Sequence, residues 1–122
     1  MPDSNSQIHQ IRLPVKNSAR AAVFYKLLPL KYLYHVKDVH YFQTGHTELL
    51  LDPHAVGAAA EITYWIVEPI ADLCQKLTAA GALIITKPEI TSYFRDRERW
   101  QAVLIDTEGN RFGLIEDKPV DI

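Results

Sequence analysis

Gln10-Ile11-Arg12-Leu13-Pro14-Val15-Lys16-Asn17-Ser18-Ala19-Arg20-Ala21-Ala22-Val23-Phe24-Tyr25 is the stretch whose reading decides the fold. Ile11, Leu13 and Val15 alternate with Gln10, Arg12 and Pro14, the two-residue period of a strand with one buried face. Pro14 marks an edge or a strand end. Asn17 or Ser18 can then cap a helix over 18–28, with Ala21, Phe24 and Leu28 on one stripe and Val23 and Leu27 beside it. Pro29 ends that helix. Three strands follow, over 30–36, 39–44 and 47–52, separated by turns at Lys37-Asp38 and Gly45-His46 and stopped by Pro53.

The same order then returns. Residues 62–67 are β-branched and aromatic, a strand composition. Pro69 suits the first turn of a helix whose apolar face is Ile70, Leu73 and Leu77 with Cys74 beside them, and Gly81 is a left-handed stop. Short strands are expected over 83–86, 101–105 and 111–116, with Asp106-Thr107-Glu108-Gly109-Asn110 as the last turn. Residues 87–100 are polar and aromatic and read as irregular. The chain is therefore an internal repeat of a strand-helix-strand-strand-strand unit of about 55 residues. One domain is expected over 8–116, made of repeats 8–52 and 61–116, with a disordered lead-in over 1–7 and a linker over 53–60. Neither unit can bury both faces of its sheet alone. Paired, they can curl around a shared cleft.

Composition narrows the function classes. Of 122 residues, 48% are hydrophobic and 23% charged, with Lys plus Arg 13 and Asp plus Glu 15. A net charge of -2 gives no support to a nucleic-acid or polybasic membrane partner. One cysteine, Cys74, excludes an intrachain disulfide and a Cys-based zinc site, and its place on the apolar helix stripe makes it a core residue. No apolar run reaches membrane-spanning length and the polar start lacks a signal-peptide core, so a cytoplasmic address is expected. There is no Gly-x-Ser-x-Gly and no glycine-rich phosphate loop. All five histidines, His9, His35, His40, His46 and His54, lie in the first 54 residues, which raises the question of a metal site.

Two segments carry a family resemblance. Residues 10–25, ending in Phe24-Tyr25, resemble the opening strand and helix of the vicinal oxygen chelate superfamily, which contains glyoxalase I, bleomycin-resistance proteins and extradiol dioxygenases. Residues 105–116, Ile-Asp-Thr-Glu-Gly-Asn-Arg-Phe-Gly-Leu-Ile-Glu, resemble its closing Asp-x-x-Gly-Asn hairpin. The resemblance implies an α+β fold of two βαβββ modules forming a curled eight-stranded mixed sheet around a central cleft. It also implies four metal-ligand positions in metal-using members, here Gln10, Leu50, Ile62 and Gly113. Three of these have no ligating side chain, and one glutamine cannot hold a divalent ion. A two-residue slip would bring Glu48 or Asp52 to the cleft, and Ile62 and Gly113 would still be empty. The resemblance thus points to the metal-free branch, with no cofactor and no metal, whose members bind organic ligands in the cleft.

By strand parity Gln10, Arg12 and Tyr64 face the cleft, and Arg111 lies near its mouth. His9 has the opposite parity to Gln10, and the other histidines fall in turns and loops; His46, Glu48 and His54 form a weak alternative metal set. Tyr93, Phe94 and Trp100, interleaved with Arg95, Arg97 and Arg99, read either as a lid over a planar ligand or as a solvated turn. The leading reading is a small-molecule-binding protein, with a sequestration or resistance role and a homodimeric state. An alternative is a glyoxalase-like lyase or isomerase acting on a small carbonyl or thiol conjugate, with Tyr64 or Glu48 as acid or base. A third is a regulatory module acting through a partner.

Overall fold

Asn17 turns the chain from strand to helix by accepting the Arg20 N–H on its side chain at 3.0 Å, the N-cap bond that its residue type favours. The structure, a computed structural model, describes residues 9–56 and 62–120. The expected lead-in over 1–7 and residues 57–60 of the expected linker lie outside these. The first module runs β1 (His9–Pro14), α1 (Ser18–Tyr25), β2 (Lys31–Val36), β3 (Val39–Thr44) and β4 (Thr47–Asp52). Its sheet order is β1-β4-β3-β2, with β1 parallel to β4 and the other pairs antiparallel. Helix α1 is three residues shorter than the sequence pattern predicts. The residue before a proline is pushed out of helical geometry, and ahead of Pro29 the chain tightens into three-residue turns, Leu27 N–H to Phe24 O and Leu28 N–H to Tyr25 O.

The second module runs β5 (Thr63–Ile66), α2 (Ile70–Ala79), β6 (Leu83–Phe94), β7 (Arg97–Ile105) and β8 (Arg111–Pro119), in the order β5-β8-β7-β6. Pro69 is the N-cap of α2, and the Ile70 N–H is satisfied by the buried Glu116 carboxylate at 2.8 Å. Gly81 closes the helix with φ +112°, a left-handed conformation that favours glycine. The irregular segment expected over 87–100 is instead a hairpin. β6 and β7 continue to a two-residue turn at Arg95-Asp96, pairing Tyr93 with Glu98 and Phe94 with Arg97. The charges that made the segment look like a loop are satisfied across strands. Arg99 forms two hydrogen bonds to Asp117 at 2.8 and 3.0 Å, and Lys118 stacks over Trp100 at 4.6 Å. β8 therefore runs three residues past the expected end, to Pro119 opposite Arg97.

The eight strands are thus two open four-stranded sheets, one per module, each with a helix on one face. A single apolar core joins them. Leu13, Phe24, Phe42, Leu49 and Leu51 of the first module cluster with Trp65, Leu77, Leu104, Phe112 and Leu114 of the second. Phe24 meets Phe112 edge to face with centroids 5.9 Å apart. No helix among the described residues is long and apolar enough to cross a membrane.

A polar seam runs beside this core, built from the two segments that carry the family resemblance. The Tyr25 hydroxyl donates to the Asp106 carboxylate. Burial, then the Asp106 and Glu108 charges, push the Tyr25 phenol well above its ordinary range. Asp106 also accepts the Glu108 and Asn110 N–H groups, which shapes the turn, and Asn110 donates to the Pro14 carbonyl at 2.8 Å. Glu108 sits at the N-terminus of α1, accepting the Lys16 and Asn17 N–H groups at 2.8 Å and the Arg20 guanidinium at 2.8 and 3.1 Å. Burial alone would raise its pKa; Arg20, the two backbone donors and Thr107 win and hold it at about 2.

Candidate functional site

Because Leu49 and Leu51 enter the core, their alternating neighbours Glu48, Leu50 and Asp52 lie on the sheet face turned away from α1. Parallel pairing sets Gln10 beside Glu48 and Arg12 beside Leu50. Gln10 donates to the Glu48 carboxylate at 2.9 Å, and Arg12 pairs with Asp52. The His54 N–H and the Arg12 guanidinium hold the Asp52 carboxyl below its ordinary range, against the opposing effect of burial. Leu50 is 1% exposed yet stands outside the core cluster, between Arg12 on β1 and Tyr41 on β3. Tyr41 stacks with Tyr34 of β2 at 5.0 Å, which extends the face as an aromatic surface.

On the corresponding face of the second sheet, Tyr64 of β5 is the direct partner of Gly113 on β8. The tyrosine ring lies on the glycine: a Cβ at position 113 would fall 2.2 Å from Tyr64 Cδ2. Tyr64 is 41% exposed, so one side of its ring is against the glycine and another is open. Arg111 is exposed two residues back along the same face. Ile62 is half-buried and lies just before β5 rather than within it.

The remaining sequence candidates are placed elsewhere. Tyr93 and Phe94 are exposed near the tip of the β6–β7 hairpin, with the Arg99 guanidinium over Phe94 at 5.1 Å. Trp100 packs against the core and donates its indole N–H to Glu98 at 3.0 Å. These three side chains belong to a hydrogen-bonded hairpin, not to an irregular lid.

The four positions that the resemblance implies for metal ligands, Gln10, Leu50, Ile62 and Gly113, hold one donor side chain, that of Gln10, and its amide is engaged by Glu48. The space for a side chain at position 113 is filled by Tyr64. The residues present therefore do not fit a divalent ion. The alternative set of His46, Glu48 and His54 does not assemble either. His54 pairs with Asp38 at 2.7 Å, Glu48 with Gln10, and no group of three or more potential His, Cys, Asp or Glu ligands occurs among the described residues. His40 is held below its ordinary pKa by burial, then by His35 and Lys26, and contacts the Tyr32 hydroxyl at 3.0 Å.

A cavity of about 420 Å³ opens between the modules, lined by Ile11, Pro29, Thr44, Thr47, Thr63, Tyr64, Trp65 and Ile66. Of the sequence candidates it takes only Tyr64. Ile11 is half-buried and Trp65 buried, on the strand faces opposite to Gln10 and Tyr64. What parity does not show is that β1 and β5 are edge strands of separate sheets, so that a gap forms where they meet.

No protein-family model matches the chain, and no curated protein matches it in sequence. Solved structures do match. A glyoxalase/bleomycin resistance protein/dioxygenase family enzyme from Burkholderia phytofirmans PsJN superposes with a TM-score of 0.75 at 18% identity, over 90% of this chain and 98% of that one. A member of the same superfamily from Sphaerobacter thermophilus DSM 20745 gives 0.67 at 19% identity, over 89% and 95% of the two chains. A glyoxalase-related enzyme from Fulvimarina pelagi gives 0.72 at 14% identity, over 90% and 87%. Two βαβββ modules in this order, joined by the Tyr25–Asp106 seam and matched along nearly their whole length, give the chain the fold of the glyoxalase/bleomycin resistance protein/dioxygenase superfamily.

Proposed function

We propose that the protein binds a small organic molecule on the sheet faces turned away from its helices, without a metal ion. The observation that carries this reading is the Tyr64 ring seated on Gly113, an aromatic surface at one of the four positions that the resemblance implies for a metal ligand. A planar, partly apolar ligand stacks on such a ring, while Gln10, Arg12 and Arg111 supply polar contacts. The exposed Tyr34, Val36, Tyr64 and Ile66 on these faces are more apolar surface than water favours, and β1 and β5 are sheet edges. A second copy of the chain covers them in this reading, making the binding cleft a property of a homodimer. The role is sequestration of a drug or metabolite in the cytoplasm, with no part for nucleic acid or membrane. The buried free Cys74 and the net charge of -2 accord with this.

Titration calorimetry against a panel of planar aromatic and cationic antibiotics tests the reading. The expected result is a binding compound whose affinity falls about tenfold in Tyr64→Ala, the scale of one lost stacking contact. A panel hit unaffected by Tyr64→Ala counts against the assigned surface. Light scattering tests the dimer.

A further inference from the structure

Two arginines on the sheet faces are neutralised, Arg12 by Asp52 and Arg99 by Asp117. Arg111 is not. It is exposed, and among the described residues no carboxylate comes within ion-pair distance of it. Because Phe112 and Leu114 enter the core, Arg111, Gly113 and Ile115 share the face turned away from α2. Tyr64 is the register partner of Gly113, so Arg111 stands two residues along and one strand across from the tyrosine, roughly 8 Å between backbones. Among the paired residues of β6, β7 and β8 on this face, the other charges are Glu89, Arg97, Arg99 and Asp117, each more than about 15 Å from Arg111 by strand position. The floor between is apolar. Val103 faces Gly113 and Ile105 faces Arg111, both half-buried and both outside the core cluster.

We infer, on the basis of the stacking surface proposed above, that its ligand is an aromatic carboxylate, with the ring on Tyr64 and the carboxylate on Arg111. The open side of the Tyr64 ring takes the ligand ring, and Val103 and Ile105 lie beneath it. The planar guanidinium presents parallel N–H donors that match both oxygens of a carboxylate. A neutral amide at the same place accepts a hydrogen bond without the charge. An ammonium there meets a like charge instead of a partner, which selects against it. Solvent screens a positive charge at the far end of the same molecule from Arg111.

Naphthalenes that differ in the group at one ring position test this: 2-naphthoate, 2-naphthamide and the cation of 2-naphthylmethylamine. Each is titrated into the full chain at low salt and followed by proton–nitrogen NMR. The arginine Nε–H signal missing from Arg111→Gln identifies Arg111. The expected result is naphthoate binding about tenfold more tightly than naphthamide, the scale of a hydrogen bond to a charged group, with the amine weakest. Only naphthoate moves the Arg111 signal. In Arg111→Gln the naphthoate affinity falls to that of naphthamide, which is itself unchanged. Arg111→Lys keeps the charge without the two-pronged geometry and retains part of the preference, so the test does not hang on one variant. Equal binding of naphthoate and naphthamide, or a naphthoate preference that survives Arg111→Gln, overturns the inference. If Tyr64→Ala then weakens both probes, the stacking surface stands without it. Binding of none of the probes removes the surface and the inference together.

Discussion

The Tyr25 hydroxyl donates to the Asp106 carboxylate across 81 positions of sequence, tying the end of the first helix to the last turn of the second module. Neither partner reaches solvent to any extent, so the bond replaces hydration that both groups lose on folding. Tyr25→Phe keeps the ring against Phe24 and Phe112 and removes the donor alone. Asp106 keeps its two backbone donors. The expected loss is roughly 1.5–3 kcal/mol in urea denaturation, the range for a hydrogen bond to a charged group. A loss below about 0.5 kcal/mol removes the seam from the account of stability.

Glu108 makes the seam sensitive to acid. Its pKa is about 2 in the folded chain against an ordinary value of 4.5. A group depressed by folding stabilises fully above its unfolded pKa, and that contribution disappears as pH falls through 4.5 toward 2. The difference amounts to about 3 kcal/mol. Wild-type stability is therefore expected to fall between pH 5 and pH 2 more steeply than that of Glu108→Gln, with the two curves converging at the acid end. Asp52 and Asp117 are also depressed and add slope to both proteins, so the difference between the curves isolates Glu108. Parallel curves contradict the assignment.

Tyr64 and Gly113 form a coupled pair. A methyl at position 113 displaces the tyrosine ring, so Gly113→Ala is expected to cost about 1 kcal/mol in the wild-type background. In a Tyr64→Ala background the same substitution meets no ring, and it is expected to be neutral or stabilising by about 0.5 kcal/mol because alanine restricts the unfolded chain. A double-mutant cycle by thermal or urea denaturation reads this coupling directly. Additive effects would show that the ring does not rest on the glycine.

The sequence alone made local features legible and left long-range ones hidden. Asn17, Gly81 and the Asp106–Asn110 turn could be assigned because each acts within a few residues of itself. The two modules followed from periodicity. Glu108 read only as a turn residue, since its cap on α1 is made to residues up to 92 positions away. The β6–β7 hairpin was hidden because Arg97, Arg99 and Lys118 place charges on strands, and those charges find Asp117 and the Trp100 ring only after folding. Gly113 was visible as a position without a ligand. That Tyr64 fills it depends on the β5–β8 register, which no local pattern reveals.

Binding at the Tyr64–Gly113 surface is proposed to need no metal. Its most direct test is a thermal-shift screen of the antibiotic panel on EDTA-stripped protein, run in parallel with one equivalent of zinc or nickel. At least one compound is expected to raise the melting temperature equally with and without metal, and neither metal alone is expected to raise it. Stabilisation that appears only with metal, or by metal alone, contradicts it, as does a panel that stabilises nothing.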